Sequence, residues 1–271
     1  MLPKFRRFLV LPLLLLASLP ATQVHAQARE EARLLVATEV LDQLREQRDQ
    51  VIPERLLQRA YGIAVIPDVT KVAFVVGGRR GSGVMVVRDS KGRFTNPVFI
   101  NLTGGSVGWQ IGAQSTDIVL VFTSQRGIEG IADGKLTLGA GASVAAGPVG
   151  RAGEAAAGVN AEVFSYSRNR GLFAGVALDG TALTMDNKAN GSFYAKRGVL
   201  ASEIMAGNVS KSSENVRRFL RAIATSTGET ATSPATSDAA PAGAAPQAPP
   251  ANTGVRTFPM EDQAPGGEPP K

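Results

Sequence analysis

The chain has 271 residues, a formal net charge of +6, no cysteine and one histidine. Without cysteine it has no disulfides, no thiol nucleophile and no thiolate metal site. Its only histidine is His25, so everything downstream lacks Ser-His-Asp and Cys-His catalysis, histidine zinc sites and histidine-ligated haem.

Lys4, Arg6 and Arg7 precede an apolar run from Phe8 to Pro20, interrupted by Pro12 and followed by small or apolar residues at Val24 and Ala26. A basic start, a short apolar stretch and such a site define a secretory signal peptide over residues 1–26, with cleavage expected after Ala26. The run is short of the roughly 20 residues that a membrane span requires. Cleavage removes three basic residues and no acidic one, so the net charge falls from +6 to +3. That mild balance lacks the concentrated charge of a nucleic-acid binder.

Residues 28–50 read as a helix. Leu34, Leu41 and Leu44, with Leu35, Val40 and Val51 beside them, form its apolar stripe. Arg29, Glu30, Arg33, Asp42, Arg45, Glu46, Arg48 and Asp49 cover the other side. Their mixed signs suit a helix packed on a core rather than one lying on a membrane. Pro53 opens a second, short helix over ERLLQRA.

Strands follow: GIAVIP (62–67), KVAFVVGG (71–78), GVMVVRD (83–89), PVFINLTG (97–104) and TDIVLVFT (116–123). Asp89-Ser90-Lys91-Gly92 is a turn, and Ser124 caps a short helix that Gly134 ends. Within TGGSVGWQIG (103–112), Gly104, Ser106 and Gly108 spell the G-x-S-x-G of a hydrolase nucleophile elbow. Ser106 has no histidine to take its proton and no S-x-x-K beside it, so the glycines are read as places of close backbone approach. Trp109, the only tryptophan, is read as a core residue.

KLTLGAGASVAAGPVG (135–150) lacks the phosphate-loop signature. It is read as a strand whose small side chains admit very close packing. Further strands fill 161–186, with turns at Asn169-Arg170-Gly171 and Asp179-Gly180. Ser165 and Tyr166 are assigned structural hydrogen bonds, since tyrosine titrates near 10. Val216, Phe219, Leu220 and Ile223 mark a C-terminal helix. The expected class is α+β: short antiparallel strands in a strongly curved sheet or two packed sheets, flanked by N- and C-terminal helices. From Gly228 onward the chain holds nine of its 16 prolines and reads as a disordered tail. The expected organisation is a signal peptide at 1–26, a folded domain at 27–227 and a tail at 228–271.

Four phrases, in order, carry a resemblance: YGIAVIPDVTKVAFVVGGRRGSGVMVVRD, NPVFINLTGGSVGWQIGAQSTDIVLVF, LTLGAGASVAAGPVGR and SYSRNRGLFAGVALDG. Together they resemble the SYLF domain, also called the Ysc-type actin-binding domain, over roughly residues 30–205. The resemblance implies a non-enzymatic lipid-binding module, phosphoinositide-directed in eukaryotic members and tied to actin in fungal ones. A secretory signal and an Ala/Pro-rich tail point instead to the periplasm of a bacterial envelope. There the expected partner is ordinary anionic phospholipid, and actin binding is not expected.

Phosphate head groups call for arginine beside backbone N–H groups freed by glycine. Arg79 and Arg80 stand in GGRRGSG (77–83), Arg168 and Arg170 in SYSRNRG (165–171), and Arg151 follows a third glycine turn. These five, with Lys71, are the candidate lipid-binding residues; solvated charges at exposed turns are the competing reading. Carboxylates are spread singly, with no calcium-loop pattern, so no metal, cofactor or catalytic residue is expected. The alternative function is a structural envelope protein that binds proteins or cell-wall polymer through the domain and tail.

Overall fold

The computed structural model describes residues 21–46, 52–132, 134–148, 161–169 and 172–229, with backbone alone at 21–26, 73–76, 106–113, 169 and 172–173. Most of the expected signal peptide and tail, Val51, Arg151 and Arg170 lie outside the described residues, as do the side chains of Ser106 and Trp109. Two helices, α1 (Ala21–Glu46) and α2 (Glu54–Gln58), precede the long strands β1 (Gly62–Val87) and β2 (Val98–Phe122). Then come α3 (Arg126–Ala132), β3 (Lys135–Thr137), β4 (Val144–Ala146), β5 (Val163–Asn169), β6 (Leu172–Gly175) and β7 (Ala182–Met185). The helices α4 (Asn187–Phe193), α5 (Ala201–Met205) and α6 (Glu214–Ser226) close the order.

The α+β class holds, with two differences from expectation. The five short strands between residues 62 and 123 are two continuous strands of 26 and 25 residues, paired antiparallel from Gly62–Phe122 to Met85–Val98. They bend at two breaks in register, between Ile66 and Val69 and between Ala73 and Val75, instead of ending there. The sheet is also mixed, because β4 runs parallel to β5. Its order is β3-β7-β2-β5-β4, with β1 on β2 and β6 on β5.

The two ends of the β1–β2 ribbon are buried on both faces, whereas its middle exposes Thr70, Val72, Arg80, Thr103 and Gln114. Ile63, Val65, Val84, Val86, Phe99, Val119 and Val121 join a core under α1, α2, α4 and α6. Ala64, Ile66, Met85, Val87, Val98, Ile100, Ile118, Leu120 and Phe122 join a second core with α3, β3, β7 and α5. Burial on both faces explains why these strands read as unbroken apolar runs rather than as alternating ones.

The ribbon doubles back on itself. The Arg88 N–H donates to the Tyr61 carbonyl at 2.8 Å, which joins the two ends of β1. A Cβ added at Gly81 would lie 2.7 Å from Val69 Cγ2, and one at Gly83 would lie 2.5 Å from the Val65 carbonyl oxygen. Glycine is required at both positions because the other half of the same strand fills the space.

The helices behave as their sequences indicate, with local changes. α1 buries Leu34, Val40, Leu41 and Leu44, but Leu35 is 41% exposed and falls outside the stripe. It begins at Ala21, ahead of the expected start, and its described part runs to Glu46. α3 is capped by the Ser124 hydroxyl, which accepts from the Gly127 N–H at 3.2 Å. α6 buries Val216, Phe219 and Ile223, and Ser213 caps it. Glu31 of α1 accepts from Ser213 Oγ at 3.0 Å and from Asn215 Nδ2 at 2.9 Å, tying the first helix to the last. Asn190 of α4 clamps β2: its Oδ1 accepts from the Phe99 N–H at 2.9 Å and its Nδ2 donates to the Phe99 carbonyl at 3.0 Å.

The small-residue segment 135–150 is not one strand. It forms β3 and β4, which lie in different parts of the sheet. The close packing is present at Gly147, where an added Cβ would overlap the Tyr166 ring. Tyr166 is fully buried, and its hydroxyl donates to the Pro148 carbonyl at 3.1 Å. Ser165 Oγ donates to the Ala145 carbonyl at 3.1 Å. Gly147→Ala is therefore expected to destabilise the domain by about 1–3 kcal/mol through overpacking. Urea unfolding checks it: the midpoint falls with the slope unchanged, and an unchanged midpoint would show that the Tyr166 ring is free to move away.

Candidate functional site

Arg79 and Arg80 stand in the second half of β1, opposite Gly104 and Thr103 of β2. With Thr70, Val72 and Gly78 these residues line an open, shallow groove of about 770 Å³. Its lining comes from both halves of β1 and from β2.

Arg79 is half-buried and Arg80 exposed. The Arg79 Nε is shut off from solvent and meets no hydrogen-bond partner among the described residues. Burial lowers its pKa from the usual arginine value, with no neighbouring charge contributing. It remains a cation at neutral pH. A desolvated donor on a cation is costly to leave unmatched, and an anion in the groove would offset the positive charge of the half-buried guanidinium.

Other arginines are satisfied by the protein. Arg33 meets Glu30 at 3.3 Å and Asp186 at 3.4 Å, and its guanidinium lies 5.4 Å from the Phe99 ring centroid. Arg88 pairs with Glu229 and donates to the Ala60 and Gly92 carbonyls at 2.7 and 2.6 Å. Arg168 pairs with Asp117, its Nε donating at 2.7 Å. Asp117 also accepts from the Asp68 N–H at 3.0 Å, at the first bend of β1, where Asp68 has φ of 50°.

The six expected site residues thus separate. Arg79 and Arg80 share the groove. Lys71, between Thr70 and Val72, is not among the residues that line it. Arg168 is held in the Asp117 pair. Arg151 and Arg170 lie outside the described residues. Thr70, Val72, Thr103 and Gly104 were not anticipated, because nothing in the sequence shows that the two halves of β1 meet. Ser106 is within continuous strand, paired with Gly77, rather than at the strand-to-helix turn that a nucleophile elbow requires.

A second hollow, of about 250 Å³, is lined by Arg29, Glu30, Arg33, Asp186, Lys188, Ala189 and Ser192. Its charges have opposite-sign neighbours, unlike the Arg79 and Arg80 pair of the first. Among the described residues no group of three histidine, cysteine, aspartate or glutamate side chains is placed to hold a metal. No described helix is long and apolar enough to cross a membrane.

Residues 103–226 match the Ysc84 family, described as "Las17-binding protein actin regulator", and the chain carries a domain of this Ysc84, or SYLF, family. It is 40% identical over 166 residues to LAS seventeen-binding protein 3 of Saccharomyces cerevisiae, covering 59% of this chain and 36% of that protein. It is 33% identical over 196 residues to SH3 domain-containing YSC84-like protein 1 of Xenopus laevis, covering 71% and 58%. With the human protein of the same name the figures are 35% over 191 residues, 69% and 55%. The chain therefore spans between about a third and three-fifths of the length of these relatives. Such members are described as binding and regulatory proteins.

The paired charges carry two measurable consequences. Asp117→Ala removes the carboxylate that Arg168 meets and is expected to cost about 3 kcal/mol, measured by urea unfolding; a change within error would show that the pair is dispensable. Glu30 is buried, and burial raises its pKa above the ordinary value of 4.5, against the pull of Arg33. The folded state then holds the proton more tightly, so Glu30 lowers stability as pH rises above 4.5. Glu30→Gln removes that dependence: its stability relative to wild type should rise between about pH 4 and pH 7. A pH-independent difference in melting temperature would contradict this.

Proposed function

We propose that this chain is a non-enzymatic module of the bacterial envelope that docks on anionic phospholipid through the Arg79–Arg80 groove. The observation that carries the reading is Arg79: half-buried, with a desolvated Nε that nothing among the described residues satisfies. A phosphate in the groove supplies a counter-charge beside this desolvated cation, and Arg80 adds a second positive charge. The open groove suits a membrane surface better than an enclosed small molecule.

Membership of a family of binding proteins supports a binding role. The basic, apolar and small-residue segments of the first 26 residues support secretion to the periplasm. In that compartment phosphatidylglycerol and cardiolipin supply the anionic head groups, and the actin-regulatory role in the family's description has no partner.

The test is co-sedimentation of the full chain with vesicles of phosphatidylcholine alone or with phosphatidylglycerol, beside Arg79→Glu/Arg80→Glu. Anionic vesicles should retain the wild type, with retention falling as salt rises, and should release the double variant while its circular dichroism stays unchanged. Equal retention on neutral vesicles, or a folded double variant that still binds, would refute the assignment and turn attention to protein or cell-wall partners.

A further inference from the structure

The groove contains one residue that anion binding does not use. Val72 is 55% exposed, whereas Val65, Val69, Val84, Val86 and Val87 of the same strand are at most 4% exposed. It shares the groove wall with Thr70 and faces the region of Arg79 and Arg80. An inorganic anion would use the arginines and leave Val72 in water. A purely apolar ligand would use Val72 and leave the arginines unmatched. An amphiphile with an anionic head satisfies both.

We propose that the bent ribbon is a membrane wedge: Val72 enters the acyl boundary of the bilayer while Arg79 and Arg80 hold lipid phosphates at the headgroup level. This rests on the lipid reading above and deepens it from electrostatic contact to partial insertion. The charge pattern favours it, since the exposed apolar side chain and the two arginines share one open groove. Burying a valine side chain in the bilayer strengthens partitioning by roughly tenfold or more, whereas surface contact alone leaves it unchanged.

The absence of native cysteine makes a clean measurement available. The full chain carrying Val72→Cys is labelled with an environment-sensitive fluorophore and mixed with phosphatidylglycerol vesicles, with Ser90→Cys, at an exposed turn, as the control. Val72→Asp and Val72→Phe are compared for vesicle partitioning. Insertion predicts a blue shift at position 72 and none at position 90, about tenfold weaker partitioning for Val72→Asp and stronger partitioning for Val72→Phe. Vesicle binding by wild type with an unshifted probe and equal partitioning of the variants would overturn the wedge and leave electrostatic docking standing. Failure of the wild type to bind any vesicle would overturn both.

Discussion

The rest of the structure depends on how β1 folds over itself. A straight strand of 26 residues would span about 85 Å, far beyond what the surrounding helices could cover. Two irregularities in the β1–β2 register and the bare backbone at Gly81 and Gly83 let the ribbon double back. Once doubled, it offers two apolar faces, and the helices divide between them. Residues from both halves of the strand line the groove.

The arginines show how the same side chain serves opposite ends. Arg33, Arg88 and Arg168 each meet a carboxylate, and each joins segments distant in sequence. Their charge is consumed within the fold. Arg79 is half-buried in the ribbon with no acceptor for its Nε among the described residues. What marks the arginines that join distant segments here is a fixed carboxylate, not burial alone.

Much of the fold was legible in residue order. The apolar stripe of α6, the Ser124 cap and the turn at Asp89–Gly92 follow from local chemistry. The continuity of β1 was not legible, because Pro67-Asp68 and the glycines of 77–83 are the signals that end strands elsewhere. The parallel β4–β5 pair was equally hidden, since nothing local specifies a partner about 20 residues away. In the groove, the arginines were visible as a pattern, but Arg168 and Arg79 look alike in sequence. Only Asp117, 51 residues from Arg168, separates their surroundings. Val72 reads as one more strand valine until the groove is in place.

The Glu31 contacts with Ser213 and Asn215 bridge 182 and 184 residues. During synthesis α1 emerges first and α6 last among the described helices, so the core beneath α1 cannot close until nearly the whole domain has been made. The leading helix waits, with its apolar stripe uncovered, for the trailing one. Contacts of such sequence separation slow the closing of a core, because the loop between the partners must be ordered first.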